Sequence, residues 1–245
     1  MRFLSGARGM RFCNLPDGCN RGCSLVRSKR HYQTVWNTFQ NSARTRRAAK
    51  RDYGRWHKGR AEYAAWTIDI QSELVQSRFD VARSHLAGFL LEPYRRQPHV
   101  TVFVCGFPGE TEQFNDDYTF RRLDRHLQEL REAEVAPFEI MIGGINSFTS
   151  APFLEVVDAT GGIKRVRAVL SRTHSEVGMG AYVPHVTLGL YADHYETTVV
   201  TEKISSFGDV LPIAQSVDQI QLTTYSALEI AGPLAVKYRV NLDAR

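Results

Sequence analysis

No apolar run in this chain approaches the ~20 residues that a membrane-spanning helix needs, and no signal-peptide-like apolar stretch follows its start. A soluble, cytoplasmic chain without a membrane partner is the expectation. Cysteine is scarce: of the four, Cys13, Cys19 and Cys23 crowd near the start and Cys105 stands apart. The C-x5-C-x3-C spacing, even with His31 as a fourth ligand, departs from the tight pairs of zinc modules, so a zinc protein is the weakest reading. No metal and no other cofactor is expected, and Cys105 is expected to stay a reduced thiol. Acidic residues are nearly missing from positions 1–60, where Asp17 and Asp52 face 15 Lys and Arg, a net of +13. The remaining residues carry −8, which together gives the chain's +5. Such asymmetry suits a basic arm that meets nucleic acid or another acidic surface, an organelle-targeting segment, or a solvated tail. Residues 1–60 are accordingly expected to form a poorly ordered arm with no catalytic part. The segment Arg44 to Arg60 should dock loosely, and order should begin near Ala61.

What the chain does contain is a repeated motif. Gln97 to Phe107 reads QPHVTVFVCGF, and Val183 to Tyr191 reads VPHVTLGLY. Each is rich in β-branched and aromatic residues, and each opens at a proline that cannot sit inside a strand. Alternation then predicts His99, Thr101 and Phe103 on one face, with Val100, Val102 and Val104 on the other. In the second copy His185 and Thr187 oppose Val186 and Leu188. Each segment offers an imidazole beside a hydroxyl and backs them with an apolar face. An imidazole with pKa near ~6.5 can be neutral in one copy and protonated in the other, supplying a base and an acid. Threonine hydroxyls can donate to the oxygens of a phosphate held between them. One His-x-Thr is a common accident; two, each after a proline and each entering an apolar strand, point to phosphoryl chemistry.

The rest of the chain reads as alternating strands and helices. AEYAAWTIDI predicts a strand with Trp66, Ile68 and Ile70 on one face. A helix over about Glu73 to Leu91 follows, with Leu74 among its inward residues. The sequence FRRLDRHLQELREAEV predicts an amphipathic helix packing on Phe120, Leu123, Leu127 and Leu130, with His126 on its solvated side. Phe138–Phe148 and Pro152–Ala159 alternate like paired strands. A helix after Gly161-Gly162 and a flexible SRTHSEVGMGAY segment lead to the second motif. Thr197 to Phe207 should be helical, and VDQIQLTTYSAL and AVKYRVNL close the chain as strands. The order of these seven or eight strands and four helices predicts an α+β fold. Its two similar, mostly antiparallel halves should occupy residues 61–245, with outer helices and a shared central cleft.

On these residues the chain resembles the 2H phosphoesterase superfamily, in its 2'-5' RNA ligase-like and cyclic phosphodiesterase branch. The resemblance runs from about Ala61 to Leu242 through WTIDI, HVTVFVCGF, the INSF and PFLEVVDA pair, HVTLGLY and VDQIQLTTYSAL. It implies a bilobal, pseudo-twofold fold and metal-independent catalysis by His99, Thr101, His185 and Thr187. The bond attacked would be a 2',3'-cyclic phosphate or a 2',5' linkage, with 2'-5' ligation as the related reaction. Either histidine can be the base and the other the acid. Relatives with ligase activity often carry an arginine three residues past the second threonine; here that residue is Leu190. Arg95 or Arg96 could supply the cation, and Tyr63, Trp66 or Phe148 could stack on a base. The partners implied are RNA ends or small cyclic or 2',5'-linked nucleotides, met by a monomer. The alternative is an RNA- or nucleotide-binding module with little or no turnover.

Overall fold

The computed structural model describes residues 30–49, 53–178 and 180–243. Among these, nine strands join in one sheet, built around the two motif segments. They are β1 (Glu62–Asp69), β2 (His99–Gly109), β3 (Asp117–Thr119), β4 (Phe138–Ser147), β5 (Pro152–Val157), β6 (His185–Thr187), β7 (Ile213–Val217), β8 (Gln219–Ser226) and β9 (Ala235–Asn241). Their order is β7-β4-β5-β6-β2-β1-β8-β9, with β3 lying parallel to the end of β2 and every other pairing antiparallel. The helices are α1 (30–40), α2 (Tyr53–His57), α3 (Glu73–His85), α4 (Phe120–Glu132), α5 (Gly162–Leu170) and α6 (Thr197–Ser205). The fold is α+β, as expected, and its halves are the strand sets on either side of the β6–β2 junction. The unit β1-α3-β2 in one half is matched by β5-α5-β6 in the other.

One face of the sheet is apolar and carries the core. Trp66, Ile68, Val100, Val102, Ile140, Ile142, Leu154, Val156 and Val186 are buried there against Val75, Phe79, Ile163, Val166 and Leu170 of α3 and α5. Helices pair across this layer: His85 of α3 meets the Lys203 carbonyl of α6 at 2.7 Å, and His126 of α4 meets the Leu170 carbonyl of α5 at 3.0 Å. The opposite, concave face carries the motif hydroxyls and imidazoles.

Strict alternation fails in β2. Thr101 lies opposite Thr67 but Phe103 lies opposite Trp66, a register shift that leaves Val102 unpaired, and a second shift follows at Cys105. Each bulge adds a residue and bends the strand. Phe103 is therefore turned into the core beside Trp66, not onto the face of His99 and Thr101, and Val104 moves to the concave side. Past the second bulge Gly106 adopts φ +110°, and a Cβ there would stand 2.1 Å from the Asp116 carbonyl oxygen. Gly106→Ala is expected to cost about 2 kcal/mol or more, from backbone strain and this clash together; a chemical denaturation curve measures it.

Several expectations are corrected. Residues 30–49 and 53–60, which lie ahead of Ala61, already make specific contacts with the rest of the fold. Tyr32, Trp36 and Phe39 repeat at i, i+4, i+7 along α1, and Tyr32 and Phe39 are buried. Beyond α1, Thr45 accepts from the Tyr195 amide and donates to the Asp193 carbonyl, both at 2.8 Å. Arg60 pairs with Asp116 and Asp117 and lies 3.6 Å over the Phe107 ring. The basic side chains had hidden these anchors. Leu74 and Phe120 are exposed, while His126 is fully buried, because α4 packs on Leu123, His126 and Leu130. The segment expected to be flexible is tied to β2: Glu176 accepts from the Val104 amide at 2.9 Å, and Tyr182 donates to the Thr101 carbonyl at 2.8 Å. β6 ends at Thr187, short of the predicted run, because Leu188 instead donates to the Pro152 carbonyl and accepts from Arg83. β7, which the sequence pattern did not signal, edges the sheet beside β4. Cys13, Cys19 and Cys23 lie outside the described residues, among which no group of three or more metal-ligating side chains is gathered. No described helix is long and apolar enough to cross a membrane.

Candidate active site

The halves meet where Val100 pairs with Val186. Both valines are fully buried on the helical side, so their neighbours in each strand face the cleft. Antiparallel pairing then sets His99 across from Thr187, and Thr101 across from His185. The imidazoles occupy a diagonal, a relation that puts residues ~7–8 Å apart and their β-carbons somewhat closer. Neighbouring strands extend both rows: Asp69 lies beside His99 and Phe153 beside Thr187, while Thr67 lies beside Thr101 and Glu155 beside His185. The two rows are related by the pseudo-twofold, so an acid neighbours each imidazole. Asp69 and Glu155 are the near residues that motif reasoning missed; the register of two distant strands is their only signal.

Each histidine is held the same way. His99 Nδ1 lies 2.7 Å from the Gln97 carbonyl, and His185 Nδ1 lies 2.7 Å from the Val183 carbonyl. A carbonyl only accepts, so both Nδ1 atoms carry the proton and both Nε2 atoms keep a lone pair when the ring is neutral. Burial pushes the His99 pKa down to about 4; the Gln97 carbonyl opposes this, while Arg96 and His185 assist it. Burial also lowers the His185 pKa, against the Val183 carbonyl. Among the described residues neither Thr101 Oγ1 nor Thr187 Oγ1 has a protein hydrogen-bond partner, which leaves two donors beside the rings.

The other expected site residues fall into different places. Phe148 stands at the site, edge-on to His185 at 5.2 Å and 4.5 Å from Phe153. Arg96 stacks 4.0 Å over Tyr225 and donates from Nε to the Gly232 carbonyl at 3.2 Å. Its charge reaches His99. Arg95 is ion-paired with Glu229 on the surface. Tyr63 is packed between Trp56 and Phe107 at 4.9 and 4.7 Å, with little of it exposed. Trp66 is corrected outright: it is fully buried on the helical side, its indole nitrogen 3.1 Å from His126 Nδ1. No base can reach it.

Comparison with known proteins gives the family. The model of the 2'-5' RNA ligase superfamily matches residues 71–229. The chain belongs to this superfamily, that of the 2H phosphoesterases, and is a 2H phosphoesterase-like enzyme. Among solved structures it is similar to TT0787 of Thermus thermophilus, at 19% identity and a TM-score of 0.49, covering 74% of this chain and 97% of that one. It is also similar to E. coli LigT in its apo form, at 11% identity and a TM-score of 0.48, covering 76% of this chain and 100% of that one. LigT complexed with phosphate matches at 13% identity and a TM-score of 0.47, over 76% and 100% of the two chains. No curated protein matches the sequence.

Proposed function

We propose that this enzyme opens 2',3'-cyclic phosphates or cleaves 2',5'-linked nucleotides by two-histidine acid–base catalysis. The observation that carries the reading is the single Val100–Val186 pairing, which sets both His-x-Thr pairs across one groove with their Nδ1 atoms tethered. His99, the neighbour of Arg96, takes the proton of the attacking water at Nε2. The water oxygen bonds to phosphorus, one ribose oxygen leaves, and His185 Nε2 gives that oxygen its proton. The product from a cyclic nucleotide is a 2'- or 3'-monophosphate. Thr101 and Thr187 donate to the non-bridging oxygens, and Arg96 supplies a cation in place of the arginine that Leu190 replaces. A ribose 5'-hydroxyl instead of water would form a 2',5' linkage by the same steps. Acid, base and phosphate donors all come from side chains, so activity is expected to survive EDTA.

The pH dependence follows from the lowered imidazoles. The base must be neutral, so kcat/KM falls as pH drops through about 4, where His99 takes a proton. The acid must be charged, so kcat/KM falls again as pH rises through the His185 value, which lies below the ordinary ~6.5. The expected profile is a bell with its optimum on the acid side of 6.5, losing about tenfold per pH unit above it. A phosphate anion between the rings favours their charged forms, so the kcat optimum should lie at higher pH than that of kcat/KM. Stopped assays on 2',3'-cyclic nucleotides, 2',5'-dinucleotides and RNA ends, with and without EDTA, test both points. Absence of turnover on all of them, or a kcat/KM that still climbs between pH 7 and 9, would sink the proposal.

A further inference from the structure

The segment before the matched family region is built into the site. The Tyr32 hydroxyl of α1 lies 2.5 Å from the Pro184 carbonyl, one residue ahead of His185, and 2.7 Å from the Val156 carbonyl. The Val156 amide donates to the same hydroxyl at 3.0 Å, and Asn146 donates to the Tyr32 carbonyl at 3.1 Å. Just downstream, the Arg46 amide donates to the Thr149 carbonyl at 2.7 Å. One face of this fixed helix and the turn that carries Phe148 border a half-open cavity of about 410 Å³. Two of its lining residues also serve His185: Phe148 packs edge-on against the imidazole, and the Val183 carbonyl accepts the hydrogen bond from Nδ1. An occupant of the cavity would therefore be separated from the imidazole by a single aromatic ring.

Its lining is specific in character. Val35, Phe39 and Phe148 offer apolar and aromatic surface, Ser150 a hydroxyl, and Thr34 and Thr38 hydroxyl oxygens that donate within the helix and keep lone pairs to accept. His31 lines it too, and its Nε2 is shut off from solvent without a protein hydrogen-bond partner. A shielded, unsatisfied ring nitrogen costs free energy unless something bonds to it. Arg46 adds a cation at the rim and has no ion-pair partner among the described residues. A flat heteroaromatic ring with hydrogen-bonding edges, attached to a phosphorylated sugar, meets each of these features; an aliphatic ligand would leave the imidazole unsatisfied. The volume is within the usual range for small-molecule sites.

We infer that α1 and the Phe148 turn form a nucleoside subsite, which holds the base of the substrate while its phosphate sits at the histidine pair. The inference rests on the preceding reading for the seat of the phosphate. Its test uses affinity rather than turnover. Adenosine 3'-monophosphate, uridine 3'-monophosphate and base-free ribose 3-phosphate are titrated by calorimetry into the full chain and into His31→Leu and Thr38→Trp. Thr38 is exposed on α1, so the second variant fills the cavity without touching the core, and circular dichroism verifies folding of both. Each variant is expected to weaken both nucleotides about tenfold and ribose phosphate by no more than about twofold. Equal losses for all three ligands, or no loss for the nucleotides, would overturn the subsite. A chain that binds nucleotides in this pattern yet turns none over keeps the subsite and loses the catalytic proposal. An active chain with unchanged nucleotide affinities does the reverse.

Discussion

Replacing His99 by alanine is expected to lower turnover of a 2',3'-cyclic nucleotide about 100-fold or more, with His185→Ala giving a loss of similar size. Both rings are only partly buried, and the hydrogen bond that holds each runs to a carbonyl just two residues back in the chain. Thermal midpoints should therefore move little while rates collapse. The double variant should be scarcely worse than either single one, because an acid and a base that act in the same step fail together. The variants should also differ from each other. A nitrophenyl phosphodiester has a leaving group that needs no proton, so it should restore much of the rate to His185→Ala and little to His99→Ala. Wild-type rates in both single variants would remove the two-histidine mechanism. Rescue of His99→Ala alone would exchange the assigned roles of acid and base.

Trp66→Ala should show the opposite signature, with a large loss of stability and no selective loss of substrate binding. The side chain is fully buried between the sheet and α4, and truncating such a tryptophan costs about 3–5 kcal/mol. Its indole N–H and the Tyr118 hydroxyl, 2.9 Å away, both converge on His126 Nδ1, which leaves Nε2–H to donate to the Leu170 carbonyl. Burial lowers the His126 pKa to about 4. Protonation would turn its acceptor into a donor facing two donors. The sign is therefore fixed: the unfolded chain takes this proton near ~6.5 and the folded chain only near 4, so stability declines as pH falls through that interval. The milder Trp66→Phe should keep the wild-type KM for nucleotides while losing part of this stability, and the acid sensitivity should persist because His126 stays buried. A raised KM at unchanged stability would restore Trp66 as a contact for the base.

The sequence carried the strands and the motif residues well, because apolar alternation is a local signal and a second His-x-Thr corroborates the first. It misassigned Phe103 because a bulge leaves no mark in composition: a valine is skipped, and Phe103 and Val104 change sides before the second bulge at Cys105. His126 was misplaced for another reason. Histidine is scored as polar, while its burial depends on three partners from β1, β3 and α5 that no window around it contains. The Tyr32, Trp36 and Phe39 spacing was legible but was outweighed by the charge of the region around it. Asp69 and Glu155 could be brought beside the imidazoles only once strand register was known.

The pairing of β2 with β6 also exposes the enzyme to a specific kind of failure. The halves touch through β6, a strand of only 3 residues, and side chains alternate with a period of two. A slip of one residue of β6 there would carry His185 through to the helices and offer the phosphate a valine in its place, while β1 holds His99 where it is. The Tyr32 anchor on Pro184 and the Tyr182 anchor on Thr101 grip the chain on each side of that seam, acting as a register lock as much as a scaffold.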